Sequence, residues 1–279
     1  MKKFRTSALL LSLGLLSACS NSFVYNQLDW LIPWYVDDYV DLSRDQRRDL
    51  KSQLQPLLRW HREEELASYV RIIDGIEADL REPLNGLEVE AWANATWQAW
   101  ERIEARMLPL AFELGEDLSD AQMDEFVALM HKRQLELEEE YLGRSDEEYL
   151  ADTLEDFSDS LDEFLGRLTE QQIALLETAS AALLRFDNAW LEERRLWIER
   201  LALMLQRQPG WQQEVMQALE TRDANRGEAY RSAYAHNQII INDAIAAVLN
   251  LRTEKQSRRL QGQLDDLRAD LEKLIAQAD

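Results

Sequence analysis

The chain has 279 residues, 46% of them hydrophobic, and carries 53 acidic against 31 basic residues, a formal net charge of −22. That negative excess opposes binding to nucleic acid, while the apolar content and nine tryptophans exclude a disordered acidic tail. Only nine glycines and five prolines interrupt a chain rich in Leu, Ala, Glu, Gln and Arg, so long helices and one large core are expected.

The amino terminus reads Met1-Lys2-Lys3-Phe4-Arg5, followed by an apolar run from Ala8 to Ala18. The run is shorter than the about 20 residues that span a bilayer. Its basic start and closing small residues predict a secretory signal peptide. The run closes on Leu16-Ser17-Ala18-Cys19, which resembles the bacterial lipoprotein signal. That resemblance implies removal of residues 1–18, a diacylglycerol on the Cys19 sulfur and an acylated new amino terminus. Several acyl chains on one residue anchor stably where one is marginal. Ser20, not aspartate, comes next, which by the same resemblance implies the periplasm-facing outer membrane of a Gram-negative cell. Cys19 is the only cysteine, so no disulfide is available to the fold.

Residues 19–42 form an anchor and aromatic lead-in containing Phe23, Tyr25, Trp30, Trp34, Tyr35 and Tyr39. Two readings stand: the segment caps the core, or it rests at a membrane interface, where Trp and Tyr are favoured. Residues 43–279 form the helical domain. Its helix starts are marked by Ser or Thr with Gln three residues on: Ser43/Gln46, Ser119/Gln122, Thr169/Gln172 and Thr253/Gln256. Ser145/Glu148 adds the Glu version. These are capping boxes, in which hydroxyl and amide or carboxylate satisfy the first free backbone N–H groups. Leu118 with Met123 and Leu168 with Ile173 have the spacing of hydrophobic staples.

The predicted helices are Arg44 to Arg81, bent at Pro56; Glu88 to Leu114, kinked near Pro109; Asp120 to Tyr141; Asp146 to Leu165; Glu170 to Arg207; Trp211 to Asn250, with a break near Gly227; and Glu254 to Ala276. The expected fold is all-α, an antiparallel bundle of about seven long helices. Trp92, Trp97 and Trp100, and Trp190 with Trp197, have the spacing of core anchors. Between Glu136 and Glu163 stand 13 acidic residues and one basic residue, Arg144, read as a solvated face or a cation-binding surface.

No reaction signature emerges. The residues three before His61, His131 and His236 are Leu58, Ala128 and Ala233, so the Glu-x-x-His motif of di-iron bundles is absent. There is no HExxH zinc site and no phosphate-binding glycine loop. The local metal candidate is His61 with Glu64 or Glu65, set against a partly buried histidine at a helix contact. A polar stripe, Asn225, Ser232, His236, Asp243 and Asn250, lies at helical spacing and reads as a solvated exterior or a polar groove. No catalytic residue or cofactor is assigned.

The runs "YNQLDWLIPWYVDDYVDLSRDQRRDL" and "LLRWHREEELASY", with the lipoprotein signal, resemble a family of uncharacterised helical lipoproteins of Gram-negative bacteria, a domain of unknown function. The resemblance implies an all-helical fold and an envelope location. "LTEQQ", "LSRDQ" and "LSDAQ" are similar to the Leu-Thr-x-x-Gln helix starts of small periplasmic stress chaperones, which are shorter and present a positive concave surface. The leading expectation is a non-enzymatic, membrane-tethered protein that binds another envelope protein. An ATP-independent chaperone and a cell-wall hydrolase are the alternatives.

Overall fold

The computed structural model describes residues 21–277. Cys19 and the signal segment lie outside them. Among the described residues every regular element is helical: α1 (Asn21–Tyr25), α2 (Leu28–Asp37), α3 (Arg44–Trp60), a π-helical turn (His61–Glu65), α4 (Leu66–Asp79), α5 (Gly86–Asp117), α6 (Asp120–Leu142), α7 (Asp146–Leu165), α8 (Glu170–Ala182), α9 (Asp187–Met204), α10 (Trp211–Glu220), α11 (Glu228–Asn250) and α12 (Glu254–Ile275). Seven of these, α3, α5, α6, α7, α9, α11 and α12, run for 17 residues or more. None is long and apolar enough to cross a membrane.

All five capping boxes form, and Asn85 with Glu88 makes a sixth at the start of α5. Four of them also meet in pairs. At the head of α3 and α6, Gln46 Nε2 donates to the Asp117 carbonyl (2.8 Å) and Gln122 Nε2 to the Asp41 carbonyl (2.7 Å). The two amides bond each other as well. At the head of α8 and α12, Gln172 Nε2 donates to the Val248 carbonyl (3.1 Å) and Gln256 Nε2 to the Arg167 carbonyl (3.2 Å), again with a mutual amide contact. Each glutamine thus caps its own helix and fastens the backbone that leads into its partner.

The larger core lies between α4, the start of α5, α7, α8, α11 and α12. α12 supplies Leu260, Leu264, Leu267, Leu271 and Leu274, a stripe at alternating spacings of four and three, all buried. A second cluster at the other end joins Val40 and Leu42 to Leu50, Leu54 and Leu57 of α3, with Leu118 and Met123 as the predicted staple. Smaller clusters surround Trp211 and Trp190. The 32-residue α5 runs about 48 Å and touches α11, α4 and α3 in turn, tying the two ends together.

Three expectations are corrected. The single helix predicted from Glu170 to Arg207 is two helices, because Leu183 takes an extended backbone (ψ 139°) and ends α8. The buried side chain of Asn237 holds the connector open: its Oδ1 accepts from Leu184 N–H and its Nδ2 donates to the Leu184 carbonyl, both at 2.8 Å. Trp97 and Trp100 are not core anchors but stand 42% and 47% exposed on α5, whereas Trp190 is buried. Ile173 is exposed rather than stapled over Leu168. Pro56 lies inside α3, and a π-turn follows five residues later.

The lead-in is two-sided. Ile32 and Val36 pack on the second cluster, and Pro33 is buried. Trp30, Trp34 and Tyr35 on α2 point outward.

Candidate functional site

A groove of about 890 Å³ runs between the π-turn with α4 on one side and α5 on the other. Small residues make it: Ser68 and Gly75 on α4 face Ala91, Ala95 and Ala105 on α5. Neither helix can fill the space between them. Trp60 closes one end and Trp92 the other, with Arg71, Arg102 and Arg106 along the sides.

The floor is an ion pair. Glu65 is only 3% exposed. Arg102 grips it with two hydrogen bonds, Nε to Oε2 at 2.9 Å and Nη2 to Oε1 at 2.6 Å. Ser68 Oγ donates to the same carboxylate at 2.7 Å and accepts from Arg102. Burial pushes the Glu65 carboxyl up, but the hydrogen bonds from Arg102 and Ser68 outweigh it and leave the carboxyl below its usual range. Such a group is ionised at neutral pH and is not a ready proton donor.

His61 faces the other way. Tyr25 Oη lies 2.9 Å from its Nδ1 and Tyr69 Oη 3.0 Å from its Nε2, so both ring nitrogens are taken. Burial pushes the imidazole pKa down, opposed by the nearby Glu65 charge, and burial pushes the Tyr69 hydroxyl well up. Glu64 accepts from Trp60 Nε1 at 3.1 Å, and Arg106 stacks 4.5 Å above the Trp60 ring. His61, Glu64 and Glu65 therefore neighbour one another in sequence but serve three different contacts. Among the described residues, no three His, Cys, Asp or Glu side chains are grouped so as to hold a metal ion.

The polar stripe is a set of fasteners. Asn225 lies in the turn before α11, not on it, and bonds Thr221. His236 Nε2 lies 3.1 Å from the Ala182 carbonyl at the end of α8. Asn250 Oδ1 accepts from Leu84 N–H (2.9 Å) and its Nδ2 donates to the Leu84 carbonyl (2.8 Å). Asp243 stands against Gly86, so closely that a Cβ there would collide with it. Ser232 is exposed. The acidic run is interrupted by a knot at the α6–α7 turn, where Arg144 pairs with Asp152 and with the buried Asp187, and Arg185 with Asp146 and Asp187.

Residues 38–231 match the description of a family of unknown function, DUF6279. The chain belongs to that family. The matched segment takes in α3 to α10 and so holds the whole groove; α12, which packs on α4, lies beyond it. No curated protein and no solved structure matches the chain.

The sequence named Glu64 and Glu65 but missed the groove. Its signal is the alternation of alanine with Trp92, Gln98 and Arg102 along one face of α5, together with Gly75 opposite.

Proposed function

We propose that this is a membrane-tethered envelope lipoprotein that acts without catalysis, by docking a helical segment of another envelope protein in the α4–α5 groove. The groove itself carries the reading. From Trp60 to Gly75 it follows about 22 Å of helix. Tryptophan and arginine, the residues that dominate interface energetics, line it. Three arginines against Glu64 and Glu65 make it locally positive in a strongly acidic chain, and Arg71 makes no ion pair among the described residues. An amphipathic helix with acidic flanks is the complementary partner.

The tether rests on Leu16-Ser17-Ala18-Cys19, and outer-membrane, periplasm-facing placement on Ser20. The ionised, Arg102-bound Glu65 is unsuited to be the general acid that the hydrolase alternative requires. Two measurements test the reading in the native host. Mass spectrometry of the amino-terminal peptide should show an acylated Cys19; an unmodified chain retaining residues 1–18 refutes the tether. A photo-crosslinker at Ala95 should form a discrete adduct in intact cells that Arg71→Glu abolishes. The same label at the exposed Thr178 of α8 should form none. Equal labelling at both sites refutes the groove.

A further inference from the structure

Among the described residues, the four aromatic side chains that are more than half exposed all fall between residues 23 and 35: Phe23 71%, Trp30 57%, Trp34 55% and Tyr35 57%. Trp30 and Trp34 stack with centroids 6.4 Å apart and rings 8° from parallel, forming a ridge on the outer side of α2. The opposite side of α2 is already used against α3. Together the four rings expose roughly 500 Å² of aromatic surface, at the upper end of what a monomer leaves uncovered.

Two further observations say what covers it. The first is reach. α1 begins two residues after Cys19, at most about 7 Å of chain. The headgroup layer of a bilayer leaflet is itself roughly 6 Å deep. An acylated Cys19 therefore leaves Phe23 and Val24 at headgroup depth, with α2 directly behind. The second is charge. Residues 21–62 hold six acidic and six basic residues, while residues 63–279 hold the other 47 acidic residues against 22 basic ones. The acids of α2 beside the ridge are compensated, Asp29 by Lys51 at 3.0 Å and Asp37 by Arg47 at 2.7 Å. The segment that follows the anchor is thus neutral in net charge. The acidic remainder is repelled by anionic lipid.

Resting on the lipid anchor proposed above, we propose that the Phe23, Trp30, Trp34 and Tyr35 surface seats in the lipid headgroup layer as a second membrane contact. Indole and phenol rings favour that layer, because the ring is apolar and its N–H or O–H finds water. The contact converts a flexible tether into a fixed orientation, with α1 and α2 as a foot and the acidic helices held away from the bilayer.

The test uses the acylated protein from its native host, reconstituted in phosphatidylethanolamine–phosphatidylglycerol vesicles whose acyl chains carry bromine near the headgroup. Two of the nine tryptophans lie in the foot, so quenching of roughly a fifth of the emission is expected. Trp30→Ser/Trp34→Ser should abolish it, and Trp97→Ser/Trp100→Ser should leave it in place. Circular dichroism confirms that both variants fold. Quenching that survives loss of Trp30 and Trp34, or none in the acylated wild type, overturns the foot and leaves the anchor standing. An amino-terminal peptide without lipid refutes the anchor first and the foot with it. A Cys19→Ser chain that dimerises in solution through Trp30 and Trp34, by sedimentation velocity, gives the surface to a second copy and overturns the membrane assignment.

Discussion

The paired glutamines allow one motif to be weighed in two environments. Gln172 is fully buried and makes four hydrogen bonds: its Oε1 accepts from Thr169 N–H and from Gln256 Nε2, each at 2.9 Å, and its Nε2 donates to Val248 (3.1 Å) and to Gln256 Oε1 (3.2 Å). Gln46 makes the same set with Ser43, Asp117 and Gln122, but half-exposed. In Gln172→Ala the Val248 carbonyl and the Gln256 amide are left in a buried site, whereas Thr169 N–H is only part-buried. The amide of Gln256 keeps Arg167 and the Val248 carbonyl keeps Leu251, so each loses part of its bonding rather than all of it. The three buried bonds lost, one at the Val248 carbonyl and two at the Gln256 amide, give at about 1 kcal/mol apiece a loss of about 3 kcal/mol. In Gln46→Ala water replaces the amide, and about 1 kcal/mol is expected, the ordinary value of a cap. Urea unfolding followed by tryptophan fluorescence, with the slope unchanged, measures both. The double variant Gln172→Ala/Gln256→Ala should fall short of additivity by about 1 kcal/mol. Equal losses in the two single variants would show that burial of the pair does not set its worth.

Three other outcomes follow from the same geometry. His61 is held neutral by burial below its ordinary value of 6.5, so the unfolded chain takes up a proton first as pH falls. Stability therefore drops below pH 6.5 by at most about 1.4 kcal/mol per pH unit from this group, and His61→Gln, followed by urea midpoints between pH 5 and 8, should flatten that slope. Arg102→Met should cost about 2 kcal/mol, more than Glu65→Gln, since it strands a buried carboxylate while the Gln variant removes the charge; in Arg102→Met burial prevails and the Glu65 titration moves upward. Asn237→Ala removes both bonds to Leu184, and hydrogen exchange at the 183–186 connector should rise by about tenfold or more, with a smaller change at the equivalent Leu84 connector.

The elements legible in the sequence are those whose code is local. A capping box needs only residues three apart, and every one that was read forms. Asn85 escaped because the search ran on Ser and Thr, although Asn caps equally well. The break at Leu183 was illegible for the opposite reason. "AALLRFDNAW" contains no Gly or Pro, and the side chain that pins it open, Asn237, arrives 53 residues later. The groove was hidden because periodicity flags large residues, and a groove is made by the small ones. For the lead-in the sequence left core cap and membrane interface as alternatives, and which ring goes inward depends on α3, against which α2 packs.

The π-turn explains how one continuous rod can serve both cores. Leu50, Leu54 and Leu57 of α3 belong to the cluster beneath α2, whereas Leu66, Ile73 and Ile76 of α4 belong to the larger core. Leu66 is nine positions after Leu57, which in regular α-helix would point it to the opposite side, since each residue turns the helix by about 100°. The bond from Leu66 N–H to the His61 carbonyl spans five residues and absorbs one of them. The effective spacing becomes eight, which keeps Leu66 on the apolar side. The absorbed residue also swings Glu65 and Ser68 toward α5, where Arg102 meets them, and leaves His61 between Tyr25 and Tyr69. The groove, its ion-pair floor and the contact from the lead-in to the larger core thus depend on a single irregular turn. Its sequence, His61-Arg62-Glu63-Glu64-Glu65, would otherwise pass for ordinary exposed helix.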